Sequence, residues 1–269
     1  MQKIHYKNHI IKKKWGQIFL TDQNIINSII NIFQPQHKQT IIEIGPGLGA
    51  LTQPILNVVD FLIVIERDPQ LTQKLFQNFN TKKLKIFNTD VMKINFFNLI
   101  PLKSNQKIRL IGNLPYNIAT QLIVHLFKYT KIIYDMHFML QKEVGKRIIA
   151  QPNSKEYGRL SIMTQYHYQV SSRLEVSKQS FIPIPKVESM IIQFTPYHAH
   201  FPYPIVDIRL LSFLTKIAFH QRRKIIKNSL SSLFNTKEMQ KCGLDTTLRS
   251  ENLTIQQFCM LAEILHNKC

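Results

Sequence analysis

The sequence has no apolar run of about 18 residues, which argues against a membrane-spanning helix. Its N-terminus is basic but lacks the apolar stretch of a secretory signal. There are only three cysteines, Cys242, Cys259 and Cys269, all near the C-terminus and without metal-ligand spacing. They argue against a disulfide framework or a metal site and for a reducing, cytoplasmic setting. Acidic residues are scarce: 16 Asp and Glu stand against 35 Lys and Arg, a formal net charge of +19. So large an excess points to a polyanionic partner, nucleic acid before an anionic membrane. Glycine is sparse too, eight in 269 residues, so where it falls is informative.

Three of the eight glycines lie within five residues, Gly45, Gly47 and Gly49, after the apolar run Thr40 to Ile44. A glycine-rich turn leaving a strand lets backbone and ligand approach without a Cβ between them. No Lys follows, so this is not the phosphate-cradling P-loop, and Ala50 stands where a clean dinucleotide fingerprint has its last glycine. Further apolar runs, Phe61 to Ile65, Lys83 to Phe87 and Ile108 to Ile111, read as strands. Polar residues at their ends, Glu43, Glu66, Asp90 and Asn113, follow at intervals of 23, 24 and 23. One strand–helix–strand step has that length, so a parallel sheet would deliver these groups to one carboxyl edge. Glu66 falls where an acid takes a ribose diol; a carboxylate there disfavours a phosphorylated ribose and suits a bare adenosine. Asp90, one strand over, can accept from an adenine amino group.

The stretch Asn113-Leu-Pro-Tyr116 would form a strand-to-helix loop before the periodic segment Ile118 to Phe127. Asn113 offers an acceptor and a donor, and Pro115 turns Leu114 out of the helical region so that its carbonyl can face a ligand. Tyr116 supplies a flat ring. The set suits an exocyclic amine on a base. Downstream, Ile132 to Leu140, Tyr168 to Val176 and Val187 to Phe194 read as strands, the last two closing a seven-stranded sheet in antiparallel order. Pro196, Pro202 and Pro204 mark a boundary. It divides the chain into residues 1–196 and a helical domain, 197–269, with helices expected over Leu210 to Phe219, Arg222 to Leu233 and Ile255 to Leu265. Basic residues cluster in the first 14 positions and again at Arg222, Arg223, Lys224 and Lys227.

Taken in order, Gly16–Leu20, Glu43–Gly49, Glu66–Asp68, Asn113–Tyr116, Phe181–Val187 and Ala218–Lys224 give the chain its likeness. It resembles the ribosomal RNA adenine N6-dimethyltransferases over nearly its whole length, and most of all the branch acting on the small subunit. The resemblance implies an α/β, Rossmann-like class I methyltransferase fold with a seven-stranded, mostly parallel sheet and a small all-helical C-terminal domain. It implies S-adenosyl-L-methionine as cofactor, no metal, and a monomer acting on small-subunit (16S) rRNA. The reaction implied is methyl transfer to N6 of two adjacent adenines in the loop of the 3′-terminal helix, during ribosome biogenesis. By likeness, Gly45 lies against the methionine part of the cofactor, Glu66 holds the ribose and Asp90 the adenine, with Leu20 and Asn113 completing the pocket. Ile18 departs from the family, which carries Asn or His there; losing that side-chain bond would weaken cofactor binding by about 0.5–1.5 kcal/mol. Asn113 and the Leu114 carbonyl would accept the N6 hydrogens beside Pro115, while Tyr116 and, by likeness, Phe181 sandwich the flipped base. Lys12, Lys13, Lys14, Arg147, Arg222, Arg223, Lys224 and Lys227 would grip RNA phosphates. A large-subunit methylase conferring antibiotic resistance and a non-catalytic RNA-binding factor on the same fold are the alternatives. A dehydrogenase is disfavoured, because no hydride-chemistry residues accompany the turn.

Overall fold

The structure, a computed structural model, describes residues 4–12, 15–99 and 107–268. Two compact units are formed by residues 1–145 with 171–196, and by residues 146–170 with 197–269. The later break falls at Pro196, where the proline cluster placed it. The expected division into residues 1–196 and 197–269 differs from this grouping, which assigns residues 146–170 to the second unit.

In the first unit, Asp22 starts helix α1 (Gln23–Phe33) by accepting from the backbone of Asn24 and Ile25. Ile26, Ile29 and Phe33 form its buried stripe, and Gln34, in the left-handed region just before Pro35, ends it. Seven strands follow: β1 (Thr40–Ile44), β2 (Leu62–Glu66), β3 (Leu84–Asn88), β4 (Ile108–Asn113), β5 (Ile133–Gln141), β6 (Tyr168–Val176) and β7 (Ser189–Pro196). They form one sheet in the order β3-β2-β1-β4-β5-β7-β6. The pairings from β3 to β5 are parallel, and β7 runs antiparallel to β5. A sheet covered on both faces needs strands that are apolar on both sides; Ile41, Ile42, Leu62, Val64, Leu110 and Ile111 are at most 1% exposed.

The chain runs outward from β1 through β2 to β3, then returns to place β4 on the other side of β1. That reversal leaves a crevice at the carboxyl ends of β1 and β4, where open α/β sheets bind ligands. Gly112 makes the tight β1–β4 approach possible: a Cβ there would sit 2.4 Å from the Ile44 carbonyl oxygen. At the opposite end of β4, buried Arg109 makes two bonds of 2.7 Å to the Asp135 carboxylate. Its guanidinium also donates to the Phe33 and Gln34 carbonyls, tying the end of α1 to the sheet.

In the second unit, the helix Ile208–His220 begins at Asp207, and the helix Ile255–His266 begins with a Thr254–Gln257 capping box. The helix expected over Arg222 to Leu233 is not formed; only the single turn Ile226–Ser229 is helical. Backbone pairing overrides propensity there: Ile225 bridges to Arg249, and the Ile226 N–H donates to the Leu248 carbonyl. A short helix that the pattern did not reveal, Thr236–Lys241, is capped by Asn235 and Glu238. No described helix is long and apolar enough to cross a membrane.

Candidate active site

At the carboxyl edge of the sheet lies a cavity of about 600 Å3. Its walls include Ile18, Leu20, Gly45, Glu66, Asp90 and the whole Asn113–Tyr116 loop. Every residue expected at the cofactor or reacting base is therefore at one cavity, with one exception. Phe181 is 0% exposed, belongs to the main apolar core and is absent from the cavity wall. Its backbone pairs with that of Leu20, which does line the cavity. Of the expected pair, Tyr116 lines the cavity and Phe181 is enclosed, linked to the wall through its pairing with Leu20.

Each wall group is positioned by its strand. Gly45, immediately after β1, has φ +69° and donates its N–H to the Ile65 carbonyl. Gly47 and Gly49 also have positive φ, and Cβ atoms there would come within 3.0 Å of the Phe19 ring and 2.4 Å of the Phe79 ring. Glycine is needed at these two positions for packing as well as for turning.

Glu66 ends β2 and is 7% exposed. One carboxylate oxygen accepts from the Asp68 N–H at 2.8 Å and the other from the Gly47 N–H at 3.2 Å. Burial raises its pKa to about 7 against the opposing pull of these N–H groups. Each oxygen keeps a lone pair for a further donor. Glu43, buried within β1, accepts from Thr52 Oγ1 at 2.6 Å, and burial lifts its pKa to about 8. It is therefore mostly protonated at neutral pH. Asp90 accepts from the Met92 N–H at 3.0 Å and lies 3.4 Å from the Arg67 guanidinium.

Asn113 ends β4, and its Nδ2 donates to the Ile18 carbonyl at 2.9 Å. That contact assigns the amide orientation and leaves Oδ1 as the acceptor. Ile18 contributes through its backbone; its side chain packs against the apolar core. Leu114 and Pro115 form the adjoining wall. The Tyr116 hydroxyl is 2.6 Å from Ser189 Oγ, which fixes the ring, and burial raises its pKa so that the phenol stays neutral.

Lys12, expected to grip RNA, is engaged elsewhere: its Nζ is 2.7 Å from Asp68 Oδ1 and 4.5 Å from the Trp15 ring centroid. Asp68 has no exposed side-chain surface; burial alone would raise its pKa, but Lys12 and Gln17 hold it below the usual range. Lys13 and Lys14 lie outside the described residues. In the second unit, Arg147, Arg223, Lys224 and Lys227 are exposed. Arg222 is half-buried and engaged within the unit: its Nε donates to Glu251 at 2.6 Å, and its other end reaches the Lys155 carbonyl. Among the described residues, no group of three or more His, Cys, Asp or Glu is placed to hold a metal.

Sequence reasoning did not single out Gln17, Asp68 as an anchor, Ser189 or the Glu43–Thr52 pair. The motifs contained Gln17, Glu43 and Asp68, but nothing in linear spacing shows that Gln17 meets a residue 51 positions away.

A sheet of this order, with a glycine turn after β1, an acid ending β2 and an amide ending β4, is that of a Rossmann-like methyltransferase. The family model described as ribosomal RNA adenine dimethylase matches residues 8–267. The ribosomal RNA small subunit methyltransferase A of Blochmanniella floridana is 66% identical over 268 residues, covering 100% of this chain and 98% of that one. The protein of the same name from Salmonella typhimurium is 48% identical, covering 97% of this chain and 95% of its own. Among solved structures, a dimethyladenosine transferase from Plasmodium falciparum superposes with a TM-score of 0.75 at 23% identity, covering 93% of this chain and 98% of its own. The 23S rRNA methyltransferase ErmE gives 0.70 at 20% identity, covering 92% and 99%. These two likenesses concern the fold. The chain belongs to the ribosomal RNA adenine dimethylase family.

Proposed function

We propose that the protein transfers methyl groups from S-adenosylmethionine to N6 of two adjacent adenines in the 3′-terminal helix loop of small-subunit rRNA. We place it in the cytoplasm, as a monomer. The observation that carries the reading is the Asn113 amide, turned by the Ile18 carbonyl so that an acceptor is left beside Tyr116 in a cavity that also holds Glu66. The cavity suits the cofactor chemically. Glu66 presents acceptors to a ribose diol, Asp90 an acceptor to an amino group, and Gly45 no Cβ.

When bound, S-adenosylmethionine supplies an electrophilic methyl on a sulfonium. The protein's residues do the rest. Adenine N6 is a poor nucleophile because its lone pair is delocalised into the ring. Asn113 Oδ1 and the Leu114 carbonyl accept the two N6 hydrogens, which draws the nitrogen toward tetrahedral geometry and frees the pair. Tyr116, neutral and held by Ser189, stacks on the extruded base, a contact of roughly 1–3 kcal/mol. Arg223, Lys224, Lys227 and Arg147 supply cationic surface for RNA phosphates.

The test is transfer of labelled methyl to undermethylated small subunits, set against large-subunit RNA. Preferential labelling of the small subunit is expected, and equal or reversed labelling refutes the substrate. Asn113→Ala should lower the single-turnover rate by at least 100-fold, as loss of one pre-oriented transition-state partner does. A rate near wild type would sink the role given to Asn113.

A further inference from the structure

An asparagine amide presents an acceptor at one end and a donor at the other, and its terminal torsion is broad and roughly two-fold. Turned the wrong way, Asn113 would meet the N6 hydrogens with its own N–H groups. What selects the orientation is the Ile18 carbonyl, which can only accept. The position of that carbonyl is in turn fixed on both sides. Phe19 and Leu20 pair with Ile182 and Phe181. On the other side, Gln17 Nε2 donates to Asp68 Oδ2 at 2.7 Å. Gln17 Oε1 accepts from the Lys12 N–H at 2.7 Å and lies 3.1 Å from His9 Nε2. The Asp68 side chain has no exposed surface and also caps the helix Pro69–Asn78. Its own N–H holds Glu66.

We infer that Gln17 is a positioning residue for Asn113: pinned to Asp68, it holds the next residue's carbonyl where it orients the Asn113 amide. The ribose-side acid and the amide at the reacting base are thereby referenced to one buried aspartate. What position 18 contributes to Asn113 is a backbone oxygen, which isoleucine supplies as well as any residue. The inference rests on the proposed methyl transfer for its catalytic consequence, but the positioning itself is open to a measurement that needs neither cofactor nor RNA.

That measurement is hydrogen exchange of the Asn113 side-chain NH2 by NMR, its resonances identified by their loss in Asn113→Ala. Gln17→Leu should lower its protection at least tenfold. Asp68→Asn is the second variant, near-isosteric and able to keep the helix cap while turning one acceptor into a donor. Unchanged protection in a folded Gln17→Leu or Asp68→Asn protein overturns the inference. The kinetic arm is a double-mutant cycle in single turnover. Gln17→Leu should slow wild type about tenfold and slow Asn113→Ala less than twofold. Equal slowing in both backgrounds means Gln17 acts without Asn113 and overturns the inference. A wild-type protein that transfers no methyl refutes the proposed function, while the exchange measurement still decides the positioning.

Discussion

Glu66→Gln tests how the ribose end of the cavity works. Both carboxylate oxygens already accept a backbone N–H, from Asp68 at 2.8 Å and from Gly47 at 3.2 Å. A glutamine amide must aim its NH2 at one of these N–H groups whichever way it is turned. It also keeps only one acceptor for a diol. The second charge-assisted bond to the ribose is lost, about 1.5–3 kcal/mol, so cofactor affinity should fall roughly 10- to 100-fold. Folding responds differently. The folded-state pKa, about 7, stands above the ordinary 4.5 because burial disfavours the charge. The folded protein therefore binds this proton more tightly than the unfolded chain. Glu66 lowers stability progressively as pH rises from about 4.5 to about 7, by about 3 kcal/mol in all. Glutamine removes that slope at the expense of one backbone bond. Urea denaturation of the cofactor-free protein at pH 5 and pH 8 should show a smaller difference for the variant. Equilibrium dialysis of labelled S-adenosylmethionine should show wild-type affinity falling as pH drops through about 7 and levelling off near that of the variant, which stays flat. Equal affinity of the two proteins at pH 8, or a flat wild-type profile, would refute the assignment.

Three further outcomes follow from the packing and charge. Gly112→Ala should destabilise by about 3 kcal/mol or more, since its Cβ would sit 2.4 Å from a backbone oxygen of the neighbouring strand; a melting temperature like wild type would contradict this. Arg109→Met should cost about 3–5 kcal/mol in urea denaturation, because it leaves the buried Asp135 carboxylate with His137 alone beside it and removes the donor to two helix-end carbonyls. Lys224→Ala and Arg223→Ala should each lower the slope of log affinity against log salt by about 0.7–0.9 for RNA, whereas Arg222→Ala should act mainly on stability through Glu251. Equal slope changes for all three would show that Arg222 is free to reach RNA.

Local sequence determined a good deal of this protein. Strand β6 falls over the segment Tyr168 to Val176 read as a strand, and Asp22, Asp68 and Thr254, each a residue type that favours a helix start, cap helices. The even spacing of Glu66, Asp90 and Asn113 placed them on one edge, because parallel strands joined by helices repeat at a near-constant interval. These features depend on neighbours within one strand–helix step, so they are written in linear order. Tertiary structure alone decided which charged and aromatic groups are available for function. Lys12 and Arg222 look like phosphate ligands in the chain, yet each is drawn to a carboxylate 56 or 29 residues away. Phe181 reads as a stacking ring, and the structure buries it in the core. The Arg222–Leu233 segment has a helical pattern but pairs its backbone with residues near 248. Capping and periodicity are settled by near neighbours; whether a long side chain is spent inside the fold depends on what distant segments bring beside it.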